Sequence, residues 1–536
     1  MLNWSVYLCG QCSGEVRIAH SLHKNEEEFV ARRRETVFQS LQKLGKHCSQ
    51  DEVPNIALLG SGGGQRAMVG LLGSLVQLDK AGLLDCILYL SGVSGSTWCM
   101  ASLYREPDWS TKLETVKDQI IRRLSGPAVS WGDAFDKLKK YYYEKDHFSL
   151  TDVWAVMVIT TYVKEIDEQT LSDQWDQLRN DPFPIYAIMD KQSKQEEAQD
   201  PWFEISPLEA GYSLTGAFVE TSSFGSQICK GSKKKDHPET DMLYLQGNKL
   251  YININLYINF SSKDPKAPSE EKGFQVLMDL VDMNLDVLNG KDPSDLDQSI
   301  RNTLKELSGG KRRLIFPTEK LNLADKKAAE LHMKQYTEDV CKDLSLWDRF
   351  PLLGRLNCLI CICMTQWTWG RKYNFLHEMT DEAVPAALLE GETRDYMDAG
   401  VLLNSPYFSV LRKERDIDLI ISLDFSEADP FKTVREAAEM CKKLNIPFPE
   451  VNIPTEDLKN PKDFYVFKGT NPPTVIHIPL FNVVNCGDDV ETWKKNYATL
   501  QGSYSAEMIT NLMEVVGKNI SNNREKLLEQ IDAVVG

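Results

Sequence analysis

The stretch NIALLGSGGGQRAMVGLLGSLVQLDKAGLLDCILYLSGVSGSTW (residues 55–98) contains two short apolar runs, each followed by a glycine-rich turn. The runs 55–59 and 86–91 have the length of buried strands, and apolar residues recur at helical spacing after each turn. We expect the first helix over about 65–80, with Gly82 as its stop. The order strand, turn, helix, strand, turn, helix predicts a βαβ unit with a parallel sheet.

The second turn, GVSGS (92–96), places Ser94 between a strand and a helix. This GxSxG pattern is typical of a nucleophile elbow, in which small neighbours permit a strained backbone and a helix N-terminus stabilises negative charge. Such a pentapeptide often occurs by chance, and taken alone it fits an ordinary glycine–serine turn better. Ser94 is therefore a candidate nucleophile that needs support from its surroundings.

The first turn, GSGGG (60–64), can point several backbone N–H groups at one oxygen, as an oxyanion hole requires. The alternative is a phosphate-binding loop, but Gln65 and Arg66 interrupt the P-loop pattern and Ala67 replaces the last glycine of GxGxxG. Both turns follow strands that are one right-handed crossover apart, so they lie at the same sheet edge. Together they favour acyl transfer.

A serine nucleophile needs a base, and two residues could provide it. Asp398 precedes two small residues in RDYMDAGVLLNSPY (394–407), where the alternative is a simple capping role. His477 is the one histidine of eight that follows Asp398, which fits the Ser–Asp–His order of α/β hydrolases. However, His477 lies inside a strand pattern, whereas a triad histidine normally lies on a loop, so a structural histidine is favoured.

Arg66 falls in the first helical turn, where a positive charge opposes the helix dipole. Either it is a solvated surface arginine or it faces the site and pairs with an anion such as a phosphate.

The composition argues against several classes of protein. Lys plus Arg number 61 against 78 Asp plus Glu, and the net charge of −17 disfavours nucleic acid binding. No run of about 18 apolar residues predicts a transmembrane helix, and the start does not resemble a signal peptide. The twelve cysteines are scattered, as in a reducing compartment, and CGQC (9–12) lacks the βαβ context of a redox motif. We expect a cytosolic protein that associates peripherally with intracellular membranes, without cofactor or metal and with its oligomeric state open.

Further elements are predicted along the chain. A helix is expected over 24–44, with Gly45 as its stop, and a half-buried strand over 250–260. Later strands are expected over 418–425, 464–468 and 474–481. The polar stretch 261–345 is expected to be a lid or a disordered loop. Candidate membrane contacts are this stretch, the apolar run 358–364, Trp367, Trp369 and a basic cluster formed by Lys230, Lys233, Lys234 and Lys235. For the two tryptophans core packing is the favoured alternative, and the lysines fit a solvated loop equally well.

Six blocks resemble the group IV cytosolic phospholipase A2 family. They are 57–75, 81–98, WFEISPLEAGYSLTGAFV (202–219), WTWGRKYNFL (367–376), MDAGVLLNSPY (397–407) and SLDFSEADPF (422–431). The likeness covers most of residues 50–500 and is weakest over 230–350. It implies an α/β fold: a three-layer α/β/α patatin-like, lysophospholipase-like catalytic domain over 50–536 with a mostly parallel central sheet. An N-terminal segment (1–49) precedes it, and a lid or insertion lies at about 230–350.

The resemblance also implies roles for individual residues. Ser94 would be the nucleophile and Asp398 the general base, without a catalytic histidine. Gly63 and Gly64 would supply the oxyanion donors, and Arg66 would contact the substrate phosphate. Phospholipids and lysophospholipids would be hydrolysed through an acyl-enzyme, which water or a second lipid resolves, so phospholipase A2, lysophospholipase and transacylase activities are implied.

The chain is most similar to the calcium-independent gamma type, because the segment before the glycine loop is too short for a C2 domain. The gamma type can end in a prenylation box, and the sequence IDAVVG (531–536) does not match one, so no lipid anchor is expected there. Two alternatives are a lipid-binding protein without catalytic activity and an esterase with a Ser94–Asp398–His477 triad.

Overall fold

A computed structural model describes residues 15–195, 200–247, 268–288, 291–307, 326–345, 369–471, 473–499 and 501–535. The chain forms two compact units. The first comprises Met1–Lys139, Ile159–Leu250 and Arg371–Gly536, and the second comprises Lys140–Val158 and Tyr251–Gly370. The predicted strand over 250–260, the CGQC motif, the apolar run 358–364 and Trp367 lie outside the described residues. The domain limits expected from the sequence stay predictions.

The first unit is built on a large mixed sheet. The strands of the described residues are β1 (Val16–Ile18), β2 (Ile56–Gly60), β3 (Tyr89–Gly92), β4 (Phe183–Asp190), β5 (Trp202–Ile205), β6 (Glu209–Tyr212), β7 (Ala217–Glu220), β8 (Gln227–Cys229), β9 (Ser232–Lys235), β10 (Arg371–Tyr373), β11 (Thr393–Asp398), β12 (Leu419–Asp424), β13 (Tyr465–Phe467) and β14 (Thr474–Pro479). Twelve of them form one sheet in the order β1-β7-β6-β5-β4-β3-β2-β12-β14-β13, with β11 paired to β4 and β10 to β11. Strands β8 and β9 form a separate hairpin.

The centre of this sheet is parallel and its flanks are antiparallel. Strands β4, β3, β2, β12 and β14 run parallel to one another. Continuous apolar runs such as IALLG in β2 and LIISLD in β12 are fully buried, as expected for strands covered on both faces. The α/β fold with a parallel core is therefore confirmed. The antiparallel strands β5 to β7 were not predicted, since short turns separate them and their pattern is brief.

Helices occur in both units. Those described are α1 (Lys24–Lys43), α2 (Gly64–Lys80), α3 (Gly95–Tyr104), α4 (Leu113–Leu124), α5 (Trp131–Glu144), α6 (Leu150–Trp154), α7 (Thr160–Val163), α8 (Lys191–Gln195), α9 (Met242–Gly247), α10 (Pro268–Leu288), α11 (Ser294–Leu307), α12 (Lys326–Ser345), α13 (Ala386–Leu389), α14 (Tyr407–Val410), α15 (Lys432–Leu444), α16 (Val483–Cys486), α17 (Val490–Asn496), α18 (Ala506–Ser521) and α19 (Arg524–Asp532). None of the described helices is both long and apolar enough to cross a membrane.

Helix α2, which begins in the glycine loop, is buried along almost its whole length. It follows β2 directly, and it packs closely against α18, because a Cβ at Gly73 would lie 3.3 Å from Met513 Cα. The predicted helix over 65–80 is thus confirmed, and Gly82 follows it with a left-handed φ of 72°.

Most other predicted elements are also confirmed. The helix over 24–44 is α1, and Gly45 has a φ of 75°. The late strands predicted over 418–425, 464–468 and 474–481 are β12, β13 and β14. The strand predicted over 86–91 begins later, at Tyr89, because Leu84–Cys86 forms a 3-10 turn.

The disordered loop expected over 261–345 is wrong for the described residues, while a lid in this region stays a prediction. The described part of 261–345 is helical (α10, α11 and α12) rather than an irregular loop. In α12, Ala329, Met333, Tyr336 and Val340 are buried at the three- and four-residue spacing of a helix face. Tyr336 donates its hydroxyl proton to Asp297 of α11 at 2.6 Å. The charged residues that suggested disorder are therefore compatible with the outer faces of packed helices.

Candidate active site

Ser94 lies on a strained turn between β3 and α3. It is the N-cap residue of α3, with φ 53° and ψ −125°, and it is only 2 % exposed. A non-glycine residue in such a sparsely populated region costs about 1–3 kcal/mol, and such strain concentrates at functional sites. The turn predicted from GVSGS therefore has the backbone geometry of a nucleophile elbow.

The glycine loop packs directly against this turn. A Cβ on Gly95 would lie 1.8 Å from the carbonyl oxygen of Gly64, and a Cβ on Gly62 would lie 3.0 Å from Ser94 Cβ. The hydroxyl of Ser96 donates to the carbonyl oxygen of Ser61 at 2.6 Å. Glycine is required at position 95, because any side chain there would push the two turns apart, and a Cβ at position 62 would crowd Ser94.

Gly63 and Gly64 begin helix α2. Gly63 is its N-cap residue, and Gly64, the first helical residue, has a φ of 58°. The first N–H groups of a helix have no intrahelical acceptor, so those of Gly63 and Gly64 can bind a ligand oxygen. Because the loop touches the Ser94 turn, these donors lie beside the candidate nucleophile.

Asp398 reaches the same place from the opposite direction. It is the last residue of β11 and pairs with Ile188 of β4, while Gly92, the last residue of β3, pairs with Tyr186 of β4. Since β5 occupies the other edge of β4 at these positions, β3 and β11 lie end to end along one edge. Two residues of a strand span roughly 7 Å, so the chain ends that carry Ser94 and Asp398 converge.

The residues that follow these strands also pack together. Val93, Ala187 and Ala399 form one buried apolar cluster, so the immediate neighbours of Ser94 and Asp398 meet over β4. Asp398 is 6 % exposed, and its carboxylate accepts the N–H of Gly400 at 2.8 Å. This hydrogen bond orients the side chain at the start of the turn.

Asn404 connects the turn after Asp398 to the glycine loop, a role that no sequence pattern indicates. Its backbone oxygen accepts the N–H of Gly62 at 2.9 Å, and its Nδ2 donates to the carbonyl oxygen of Gly62 at 3.2 Å and to Ser426 Oγ at 2.8 Å. A Cβ on Gly400 would lie 3.1 Å from Asn404 Oδ1 and equally far from Asp398 Oδ1. A single loop asparagine carries no motif, so only the structure indicates this positioning role.

Comparisons with known proteins identify the family. A model of the lysophospholipase catalytic domain matches residues 56–281. Cytosolic phospholipase A2 gamma of Mus musculus is 32 % identical, and the match covers 98 % of this chain and 94 % of that protein. The Homo sapiens protein of the same name is 33 % identical, with 98 % and 97 % covered. The chain belongs to the cytosolic phospholipase A2 family.

The fold of the family is also found among solved structures. Human GIVD cytosolic phospholipase A2 superposes with a TM-score of 0.70 at 21 % identity, covering 98 % of this chain and 69 % of that one. The first unit thus has the patatin-like α/β fold, and the chain is a serine ester hydrolase of the phospholipase A2 family. A lipid-binding protein without activity is the less favoured reading.

Arg66, for which the family resemblance implies phosphate contact, is almost fully buried at 1 % exposure. Its Nε donates to the carbonyl oxygen of Phe425 at 2.7 Å, its Nη1 donates to that of Tyr497, and its Nη2 donates to Thr499 Oγ1 at 3.1 Å. Arg66 is therefore not a solvated surface residue. These three hydrogen bonds use three of its five N–H groups, and contact with a phosphate stays a prediction.

His477 lies too far from Ser94 to complete a triad. It pairs with Ser422, which pairs with Leu59, which pairs with Ser91, so three strand spacings separate His477 from β3. Three spacings are about 14 Å. The ring is completely buried, its Nε2–H donates to the carbonyl oxygen of Pro430 at 2.7 Å, and burial lowers its pKa. The triad alternative is therefore not favoured.

Proposed function

We propose that Ser94 and Asp398 carry out the phospholipase A2 and lysophospholipase reaction of this family. One observation supports this most: the strained Ser94 turn and the end of β11 converge on one edge of β4. The glycine loop touches the same turn. A hydroxyl, a carboxylate and a pair of backbone N–H donors at the start of a helix are the groups that acyl transfer needs.

The reaction follows from this arrangement. Asp398 takes the proton of Ser94 Oγ as the oxygen attacks the acyl carbonyl carbon of the lipid. The N–H groups of Gly63 and Gly64 bind the oxyanion, each contributing about 3–4 kcal/mol to the transition state. The intermediate collapses to the acyl-enzyme as the lysophospholipid leaves and takes the proton from Asp398. Water, activated by Asp398, then releases the fatty acid and restores Ser94.

A carboxylate is a weak base at neutral pH, so the oxyanion donors must supply much of the rate. A second lipid hydroxyl in place of water would give transacylation by the same steps. The guanidinium of Arg66 would hold the substrate phosphate, and no calcium ion takes part in the cycle.

We also propose that the protein is cytosolic and binds membrane surfaces peripherally, since the substrate is a membrane lipid. The basic cluster lies on and beside the β8–β9 hairpin, where Lys230 and Lys234 are exposed. Lys233 is partly neutralised, because its Nζ lies 3.2 Å from Asp236 and 3.4 Å from Glu15. Sedimentation with anionic vesicles tests this point, and equal recovery with neutral vesicles would argue against the cluster.

Two measurements test the chemistry. A fluorophosphonate probe should label the wild-type protein and not Ser94→Ala, and labelling of another residue would contradict the assignment. Phosphatidylcholine with a labelled acyl chain, and its lyso form, should be hydrolysed with EDTA present. Loss of turnover in EDTA that calcium restores would remove the calcium-independent mechanism.

A further inference from the structure

Three metal-binding side chains cluster outside the residues assigned to catalysis. Cys229, His377 and Glu378 each offer one ligand atom, and these three atoms lie within 4.8 Å of one another. Cys229 is the last residue of β8, and His377 and Glu378 follow β10. Within the described ranges, no other trio of His, Cys, Asp or Glu side chains comes this close together.

Backbone hydrogen bonds hold both segments in place beside the ligands. The N–H of Lys230 donates to the carbonyl oxygen of His377 at 3.0 Å, and the N–H of Glu378 donates to that of Leu389 at 3.1 Å. The completely buried Asn374 donates its amide to the carbonyl oxygen of Leu388 at 2.9 Å. Since the two segments are already joined, a bound ion would not have to order them.

The local backbone is strained at this cluster. Lys230 and Glu378 are both non-glycine residues with positive φ, at 53° and 56°. Such positions are energetically costly and are more frequent at functional sites than elsewhere. In this conformation the Sγ–H of Cys229 donates to Glu378 Oε2 at 3.2 Å.

We propose that Cys229, His377 and Glu378 bind a zinc ion, with water as the fourth ligand. Zinc takes thiolate, imidazole and carboxylate ligands at about 2.0–2.3 Å in a tetrahedron, which places the ligand atoms roughly 3.3–3.7 Å apart. The Glu378 side chain is 53 % exposed, so its rotation can close the remaining gap. A thiolate ligand favours zinc over calcium or magnesium.

Binding would exchange one proton for the metal. The Cys229 thiol loses its proton to solvent as the sulfur–zinc bond forms, and the thiol hydrogen bond to Glu378 is replaced by coordination. The zinc ion would join the β8–β9 hairpin to the segment after β10. It takes no part in the Ser94 reaction.

The positive charge of Lys230 competes with zinc for Glu378. Lys230 Nζ lies 3.9 Å from Glu378 Oε2, with side-chain exposures of 73 % and 53 %. An exposed pair at this distance contributes little stability, so zinc can displace it. Lys230→Gln should therefore bind zinc more tightly than the wild type, because it removes a competing positive charge.

The test is a titration of the metal-free, full-length protein with Co²⁺ and Zn²⁺. In the wild type, Co²⁺ should produce a thiolate charge-transfer band, and Zn²⁺ should abolish it and raise the melting temperature. Cys229→Ser should lose the band and the thermal shift. His377→Asn and Glu378→Gln should weaken zinc binding at least about tenfold.

Matched controls separate this site from other thiols. Cys48→Ser changes another partly exposed thiol and should behave as the wild type. A Cys9→Ser/Cys12→Ser variant removes the CGQC thiols and should keep the Cys229-dependent signal. Circular dichroism verifies folding, and phospholipid turnover without metal should be equal in Cys229→Ser and the wild type. A Cys229→Ser protein that keeps the cobalt band and the wild-type zinc affinity overturns the proposal.

Discussion

Asp398 and His477 are both candidate bases for Ser94, but Asp398 lies at the end of a strand and His477 lies in the middle of one. Both side chains are buried, and both have a hydrogen bond to the backbone. Asp398 ends a strand whose tip faces the end of β3, whereas His477 lies in mid-strand between β12 and β13. Strand ends leave room for turns and free backbone donors, while a strand interior is filled by its neighbours. Position at a strand end, rather than residue type, therefore favours Asp398 over His477 as the proposed partner of Ser94.

The largest effect should come from the two residues at the edge. Ser94→Ala should lower phospholipid turnover by about 10⁴-fold or more, because the nucleophile is lost. Asp398→Asn should lower turnover almost as much. The double variant should lose no more turnover than Ser94→Ala, since the two residues are proposed to act as one unit. Steady-state kinetics on folded variants measures this. Additive losses would mean that Asp398 acts on a different step from Ser94.

A smaller loss is expected when the two turns are pushed apart. Gly95→Ala would place a methyl group 1.8 Å from the Gly64 oxygen, which must displace the glycine loop. A displacement near 1 Å can lower turnover about 10²-fold. Gly502→Ala is the matched control, because no atom of the described residues lies within 4 Å of the added Cβ. Equal probe labelling rates for the two variants would show that contact between the turns is not needed.

Substitution of Arg66 tests whether this residue binds the phosphate of the phospholipid headgroup. Arg66→Lys keeps the charge but loses the planar fork, and it should lower kcat/KM for phosphatidylcholine about tenfold more than for a short neutral ester. The ratio of the two kcat/KM values is the measurement. Parallel losses with a lower melting temperature would make Arg66 a positioning residue that supports the loops at Phe425 and Tyr497.

The smallest effect on catalysis is expected in the sheet interior. His477→Asn should keep turnover within about threefold of the wild type but lower the free energy of unfolding by about 1–3 kcal/mol, because the bond to Pro430 is lost. Near-complete loss of turnover in a folded His477→Asn protein would restore the triad.

The same variant carries a pH signature. Burial lowers the pKa of His477 in the folded protein below its ordinary value of 6.5. The unfolded chain therefore binds a proton more readily, and the stability that the neutral ring contributes is present above pH 6.5 and lost as the pH falls below it. The difference in melting temperature between the wild type and His477→Asn should shrink between about pH 7.5 and pH 5.5. A constant difference would indicate that the ring titrates normally in the folded state.

Local patterns predicted a large part of this protein. The runs 55–59 and 86–91 and the glycine turns after them indicated the βαβ unit, and Ser94 followed from GVSGS. The antiparallel flank β5 to β7 and the helices of 261–345 were not predicted. Their patterns are short or strongly charged, and packing against distant residues stabilises them.

The chain by itself determined the two glycine turns, because a strand followed by successive glycines and a helix is a local arrangement. Only the tertiary structure decided that Asp398, more than 300 residues later, ends opposite β3, and that His477 does not. The tertiary structure also determined that Asn404 joins the turn after Asp398 to the glycine loop, and that Arg66 is buried and bonded to the carbonyl oxygen of Phe425. Strand order and register are set by contacts between distant segments, and local residue spacing carries no record of them.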